Sequence, residues 1–215
     1  MYNILEGLNS QQKEAVETLE GPVLILAGAG SGKTKTLTHR IANLIKHGTG
    51  PARILAVTFT NKAANEMKER LGSLTGGVSL PFMGTFHGIA GMNLRQEAEA
   101  AGLDRNFVIY DMDDQVSLIR RILKNLDLAN NKSLKPKSIQ SVISNEKNQG
   151  RGPEEYEATA YYPNQKKIAL VFKRYEEEKE KAGALDFDDL LLKELELFQK
   201  NPEVRKKWQE KFEHI

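Results

Sequence analysis

Short apolar runs alternate with stretches in which apolar residues return every three or four positions. The run 22-PVLILA-27, flanked by Gly21 and Gly28, predicts a strand buried on both faces. The runs 53-RILAVTFT-60 and 78-VSLPFMGTFH-87 predict two more strands, the third ending in a loop. Helical spacing lies between them. Asn9 is a good N-cap for a helix over 9–19, and Gln12 sits three residues later. Leu37, Ile41, Leu44 and Ile45 mark a helix from Gly32 to Lys46 that Gly48 ends. Ala63, Ala64, Met67 and Leu71 mark another over 61–71. Strands alternating with helices predict a parallel sheet with crossover helices.

Beyond residue 103 the pattern turns helical, at 112–126, 136–146 and 163–182, with breaks at 127–136 and 149–153. The stretch 107-FVIY-110 is too short to assign. An apolar-rich helix is expected over 183–199, and a last one over 202–215, with Pro202 in its first turn. The expected organisation is a core over 1–103, a helical insertion over 104–184 and a return to the core over 185–215.

Composition narrows the classes. Hydrophobic residues make up 40% of the 215 and charged residues 28%, which supports a packed core and argues against wholesale disorder. There is no cysteine, which excludes a disulfide framework and any cysteine-based metal site. His39, His47, His87 and His214 show no ligand spacing. No apolar run approaches the ~20 residues of a membrane span. The N-terminus lacks the basic segment and apolar core of a secretory signal, so a soluble cytoplasmic protein is expected. Net charge is only +2. Locally, Arg120, Arg121, Lys124, Lys132, Lys135, Lys137, Lys147 and Arg151 face only Asp127 and Glu146. That excess either attracts phosphate or is an ordinary solvated face.

The chemistry starts at 27-AGAGSGKTKT-36. The spacing G-x-x-x-x-G-K-[ST] falls on residues 27–34, with Ala27 in the first glycine position. Gly28, Ala29, Gly30, Ser31 and Gly32 would turn successive backbone N–H groups onto phosphate oxygens, and the following helix adds its positive end. Lys33 would reach the β- and γ-phosphates, and Thr34 would place its hydroxyl on Mg²⁺. The alternative is a glycine-rich turn with an incidental lysine. The strand-then-helix context favours the cradle.

Two further loops carry an aromatic beside polar groups. Phe59 is followed by Thr60, Asn61 and Lys62, and Thr85, Phe86 and His87 stand together. In a parallel sheet both would open at the carboxyl edge. Rings among donors suit single-stranded nucleic acid, with bases stacking and donors taking phosphates. The competing reading makes Phe59 and Phe86 core, Asn61 a helix cap and His87 a buried histidine. Likewise 186-DFDD-189 reads either as a metal site or, as we favour, as Asp186 capping a helix with Asp188 and Asp189 in its first turn.

Four stretches together, 8-LNSQQKEAV-16, 27-AGAGSGKTKTLTHRI-41, 58-TFTNKAANEMKERL-71 and 84-GTFH-87, resemble the UvrD/Rep/PcrA group of superfamily 1 DNA helicases. The stretch 185-LDFDDLL-191 is a fifth match. The resemblance implies an α/β fold: a P-loop, RecA-like, mostly parallel sheet with an inserted all-helical subdomain. It implies ATP and Mg²⁺ as cofactors, and single-stranded DNA and duplex junctions as partners. It assigns Lys33 to catalysis, Gln12 to the adenine edge and Lys35 to a position near base and ribose. Gln12 also fits as half of a capping box. Phe59, Thr60, Asn61, Lys62, Thr85, Phe86, His87 and Arg95 fall on DNA-contacting motifs. Gly88, Gly91 and Met92 depart from the family pattern and imply weaker DNA contact there.

In that family an apolar strand ending in Asp-Glu-x-x-Gln would follow. The resemblance therefore implies the N-terminal portion of a motor, inactive by itself. A P-loop kinase for a small molecule and a non-catalytic nucleotide- or DNA-binding fragment are the alternatives.

Overall fold

A computed structural model describes residues 3–215. The chain is mixed α/β with parallel strands, and most of it is helical. It divides into two compact units: one runs to Ile89 and takes in Lys206–Ile215, the other is Ala90–Arg205.

In the first unit, α1 (Ser10–Glu17) starts at Asn9, whose side chain accepts from the Gln12 amide while Gln12 Oε1 accepts from the Asn9 amide. Helix α2 (Lys33–Lys46) leaves a left-handed residue, Gly32 at φ 86°. Strand β1 (Ala56–Thr58) leads to α3 (Asn61–Thr75), and β2 (Met83–Thr85) leads to α4 (Phe86–Gln96). The two strands pair in parallel with Thr58 opposite Thr85. Beneath them Val16, Ile41, Leu44, Ile54, Met67, Leu71 and Met83 form one buried cluster.

The strand expected at 22–27 does not form, which corrects the sequence reading. Leu24 and Leu26 are 83% and 86% exposed. A strand is made by its neighbours, and this run has no ladder partner among the described residues. A groove of about 740 Å³ lies between Pro22–Val23 and Ile54–Val57, with α2 and His214–Ile215 on its other walls. On that flank Ile54 makes a single parallel bridge to His214.

In the second unit, β3 (Val108–Tyr110) is followed by α5 (Met112–Asn125), α6 (Pro136–Asn148), α7 (Pro153–Ala158) and α8 (Pro163–Lys181). Then β4 (Ala184–Asp186) turns directly into α9 (Phe187–Lys200), and α10 (Pro202–Lys211) runs on towards the C-terminus. Strands β3 and β4 pair in parallel, Tyr110 opposite Asp186. The unassigned 107–110 stretch is thus a strand, and the helix expected from 183 begins at Phe187 instead. Two buried clusters hold this unit, one around Ile119, Ile139, Phe172 and Tyr175, the other around Leu94, Leu185, Leu190 and Leu197. No helix of the described residues is long and apolar enough to cross a membrane.

Candidate nucleotide cradle and nucleic-acid interface

The cradle is positioned by polar contacts between α1 and α2. Arg40 donates to the carbonyls of Ala15 and Thr18, and Asn43 donates to Val16, so the last turn of α1 is capped by side chains of α2. The ring of His39 reaches the carbonyl of Ile4 at 2.5 Å. The Lys35 ammonium donates to Gly7 at 2.7 Å, which ties it to the segment before α1.

These contacts set Gln12 against the loop. Its Nε2 donates to the Ser31 carbonyl at 3.0 Å, and a Cβ on Gly32 would lie 2.9 Å from that nitrogen. Gly32 is favoured by its left-handed φ, and a Cβ there would push the end of the Gln12 side chain aside. Ser31 closes the turn through its hydroxyl to Gly28, and Gly28 and Ala29 are exposed at its tip. Lys33 curls into the loop, donating to the carbonyls of Ala27 at 3.0 Å and Gly28 at 2.6 Å. Its ammonium therefore sits at the mouth of the turn, at the amino end of α2. Thr34 is half-buried in that first turn. A glycine-rich turn, a lysine at its mouth and a helix N-terminus together fit a polyphosphate. Asn9, Gln11, Gln12, Ser31 and Lys33 line a small depression beside it, which carries no carboxylate and no arginine.

The two aromatic positions converge, and the loop expected after the third strand is instead the first turn of α4. Phe59 directly follows β1 and Phe86 directly follows β2, and strand pairing brings the rings to 5.4 Å between centroids. Phe59 is 87% exposed and Phe86 43%, so neither is core. The hydroxyls behind them are structural. Thr60 accepts from the Ala63 amide at 3.1 Å and caps α3, and Thr85 accepts from the Gly88 amide at 3.1 Å in the first turn of α4. Asn61 and Lys62 are exposed beside Phe59, and His87 is half-buried. A Cβ on Gly88 would sit 3.2 Å from the Thr85 hydroxyl.

Arg95 belongs to the second unit. Its guanidinium donates to the carbonyls of Arg105 and Phe107 and lies 4.1 Å over the Phe107 ring. This cation is committed to holding the loop after α4.

The basic stretch 120–151 is also less free than its sequence suggests. Arg121 pairs with Glu178 and Arg151 with Glu146. Lys147 is buried, 2.7 Å from Asp186 and 2.5 Å from Asp189. Lys179 completes the group at 3.0 and 2.6 Å from the same carboxylates. Tyr175 donates to Asp186 at 3.0 Å, and Glu176 stands at the rim, 2.8 Å from Lys179. Burial acts to raise Asp186, but the Lys147 and Lys179 ammoniums outweigh it and hold the carboxyl well below the usual range. Burial acts to lower Lys147, and the carboxylates of Asp189, Glu176 and Asp186 push it above the usual range instead. Glu176, Asp186 and Asp189 are spaced closely enough to hold a cation, but two ammoniums already compensate them. Asp186 also caps α9, accepting from the Asp189 amide.

The local signal for this cluster was periodicity. Lys147 falls four residues after Ile143, and Lys179 four after Tyr175, each on the apolar face of its helix.

The first unit thus holds a glycine-rich turn of P-loop spacing at the start of α2 and a pair of exposed rings at the carboxyl ends of β1 and β2. Comparison with known proteins gives the family of the chain. Residues 8–215 match the UvrD/REP helicase N-terminal domain, and the chain belongs to that family. It is 43% identical over 217 residues to the ATP-dependent DNA helicase PcrA of Staphylococcus aureus (strain NCTC 8325 / PS 47), covering 100% of this chain and 30% of the relative. The PcrA of Leuconostoc citreum is 43% identical over 215 residues, covering 99% of this chain and 29% of that protein. The PcrA of Staphylococcus epidermidis is 43% identical over 217 residues, again covering 100% and 30%. The chain thus spans about 30% of the length of these relatives.

Proposed function

We propose that the chain forms the ATP-binding part of an ATP-dependent DNA translocase that moves on single-stranded DNA and opens duplex. Its first unit is then part of a RecA-like core, with the helical segments of the second as an insertion. The observation that carries the reading is the pair of exposed rings, Phe59 and Phe86, at the adjacent carboxyl ends of β1 and β2. A small-molecule kinase has no use for it, and a non-catalytic DNA-binding fragment would share it.

In this reading Gln12 reads adenine. A carboxamide has two donor hydrogens and two acceptor lone pairs. One of each is used, by Ser31 and Asn9, which leaves one N–H and one lone pair for adenine N7 and N6. The capping and adenine roles are therefore compatible on one side chain. Lys33 releases the Ala27 and Gly28 carbonyls and takes phosphate oxygens. Backbone groups of Gly28, Ala29, Gly30, Ser31 and Gly32 surround the phosphates. The Thr34 hydroxyl would hold Mg²⁺, which would supply charge compensation for the phosphate. Lys35 stays near the nucleoside side through its tie to Gly7. Phe59 and Phe86 stack bases, with Asn61, Lys62 and His87 beside them, while Thr60 and Thr85 set the rings by capping helices. Arg95 serves as a clamp within its own unit.

The residues lining the depression beside the cradle include no carboxylate and no arginine. An arginine that stabilises γ-phosphate charge contributes about 10³–10⁵ in rate. The 215-residue chain alone should bind nucleotide and oligo(dT) but hydrolyse ATP negligibly. The test is titration with a fluorescent ATP analogue and with labelled oligo(dT). Lys33→Ala should abolish nucleotide binding and spare DNA, and Phe59→Ala should weaken DNA about tenfold and spare nucleotide. Loss of neither ligand in either variant would remove the reading.

A further inference from the structure

The second unit carries an exposed surface that the nucleotide and aromatic-loop sites do not use. It begins at Tyr161 and Tyr162, 81% and 70% exposed, and continues down the outer face of α8. Pro163, Lys166, Lys167 and Leu170 recur there at helical spacing and, with Tyr161, line a shallow groove of about 380 Å³. Lys173 and Arg174 extend the face by another turn. The opposite face of the helix, with Ala169, Val171, Phe172 and Tyr175, is buried.

Three features separate this face from an ordinary solvated one. First, from Tyr161 to Tyr175 the sequence holds four cations and no carboxylate. The acidic residues of α8 begin only at Glu176, and none lines the groove. Second, Lys166, Lys167 and Lys173 make no ion pair among the described residues, and of the four cations only Arg174 does, with Glu177 at 2.8 Å. Third, two adjacent tyrosines leave their rings in solvent. Neither side chain makes a hydrogen bond among the described residues, although the backbone of Tyr162 starts α8 by donating to Gln165. Large rings left exposed cost apolar hydration, and a row of four cations of which three are unpaired among the described residues favours a polyanion.

We propose that Tyr161, Tyr162, Lys166 and Lys167 form a second binding surface for single-stranded DNA, with the rings stacking bases and the two lysines taking successive phosphates. Charge complementarity favours a nucleic-acid strand, and the free π-faces favour unpaired bases over a duplex, whose bases are already stacked. Lys173 and Arg174 lie along the path the backbone would follow on leaving the rings. The inference rests on the reading of this chain as a DNA-binding domain, but it uses residues outside the Phe59–Phe86 pair.

The experiment uses the 215-residue chain and oligo(dT) carrying 5-iodouracil, with photocrosslinks mapped by mass spectrometry and affinity followed across a salt series. Crosslinks at Tyr161 or Tyr162 are expected, together with crosslinks at Phe59 or Phe86. Tyr161→Ala with Tyr162→Ala should weaken binding about tenfold. Lys166→Gln with Lys167→Gln should flatten the log–log salt dependence by about 1.4, two phosphates at ~0.7 each for a single strand. These residues are exposed, so the variants should keep the parent's thermal unfolding, and that is checked alongside. Crosslinks confined to Phe59 and Phe86, with unchanged affinity in both double variants, would overturn the surface and leave the DNA reading intact. Equal binding of a blunt duplex, insensitive to the tyrosines, would also overturn it. Crosslinks at the tyrosines alone would keep this surface and remove the role given to Phe59 and Phe86. No binding of oligo(dT) at any salt would remove both.

Discussion

In each unit a short apolar run precedes a helix, directly at β4 to α9 and across the turn 28–32 at α2, with opposite results. At β4 to α9 the run is paired with β3, all three residues are buried, and the last, Asp186, caps the helix while bonded to two ammoniums. At 22–27 to α2 the run is longer and more apolar, yet it is unpaired and exposed, and the turn is held from the side by Gln12, Lys33 and Ser31. Apolar content therefore does not decide whether a strand forms. A partner does. The comparison also separates two uses of a helix N-terminus. In α9 it is filled by the chain's own carboxylates, and in α2 no acidic side chain stands in the first turn, which leaves it open to an anion.

The comparison breaks most directly at Asp186. Asp186→Asn keeps the side-chain shape but leaves Lys147 and Lys179 with Asp189 as their one remaining buried carboxylate. Removing one partner from a buried ion group costs about 3–5 kcal/mol, and urea denaturation should show that loss. A loss below about 1 kcal/mol would mean the cluster is solvated. The pH profile gives the sign independently. The Asp186 carboxyl is held below its unfolded value near ~3.9, so its contribution is complete above about pH 4 and is lost as pH falls towards the folded value. Lys147 is held above its unfolded value near ~10.4, so its contribution is complete below that pH and is lost as pH rises further. The gap between parent and variant should therefore be widest across neutral pH and close in acid.

Much of this was legible in the sequence, because much of it is local. The Asn9–Gln12 box, the helix stripes, the cradle and the capping role of Asp186 each depend on residues within one or two turns. What was hidden depends on distant partners. The 22–27 run has the composition of a buried strand, but composition does not supply the neighbour. Strands β3 and β4 are three residues each and become strands by pairing across more than seventy positions of chain. The charge run at 120–151 looked free because its carboxylates, Glu178, Asp186 and Asp189, lie beyond it in sequence. The aromatic loops were ambiguous for the opposite reason. Only exposure distinguishes a stacking ring from a core ring, and the pattern of residues around Phe59 fits both.

A smaller effect sharpens the comparison at the cradle. Gly32→Ala puts a Cβ on a residue at φ 86° and 2.9 Å from Gln12 Nε2. The left-handed conformation costs a side chain about 1–2 kcal/mol. Gln12 must also shift, and with it the contact to Ser31. Gly30→Ala has a similar φ of 74° but no neighbour within 4 Å. Both should lower stability comparably. Only Gly32→Ala should also weaken binding of a fluorescent ATP analogue beyond that shared loss, if Gln12 is part of the nucleotide site. Equal binding losses in the two variants would place Gln12 outside it.

The smallest effect is expected where a reader of the sequence would expect a large one. If the 22–27 run were a core strand, Leu24→Thr and Leu26→Thr would each cost several kcal/mol, as Leu190→Ala should at about 2–5 kcal/mol for a residue 1% exposed. With both leucines exposed, each threonine should change stability by no more than about 0.5 kcal/mol. Threonine is also a good strand former, so the substitution does not penalise an extended backbone. Chemical denaturation of the three variants side by side decides the matter. A cost above about 2 kcal/mol for either threonine would mean that the run is buried by a partner, and the difference between the two strand-to-helix turns would vanish.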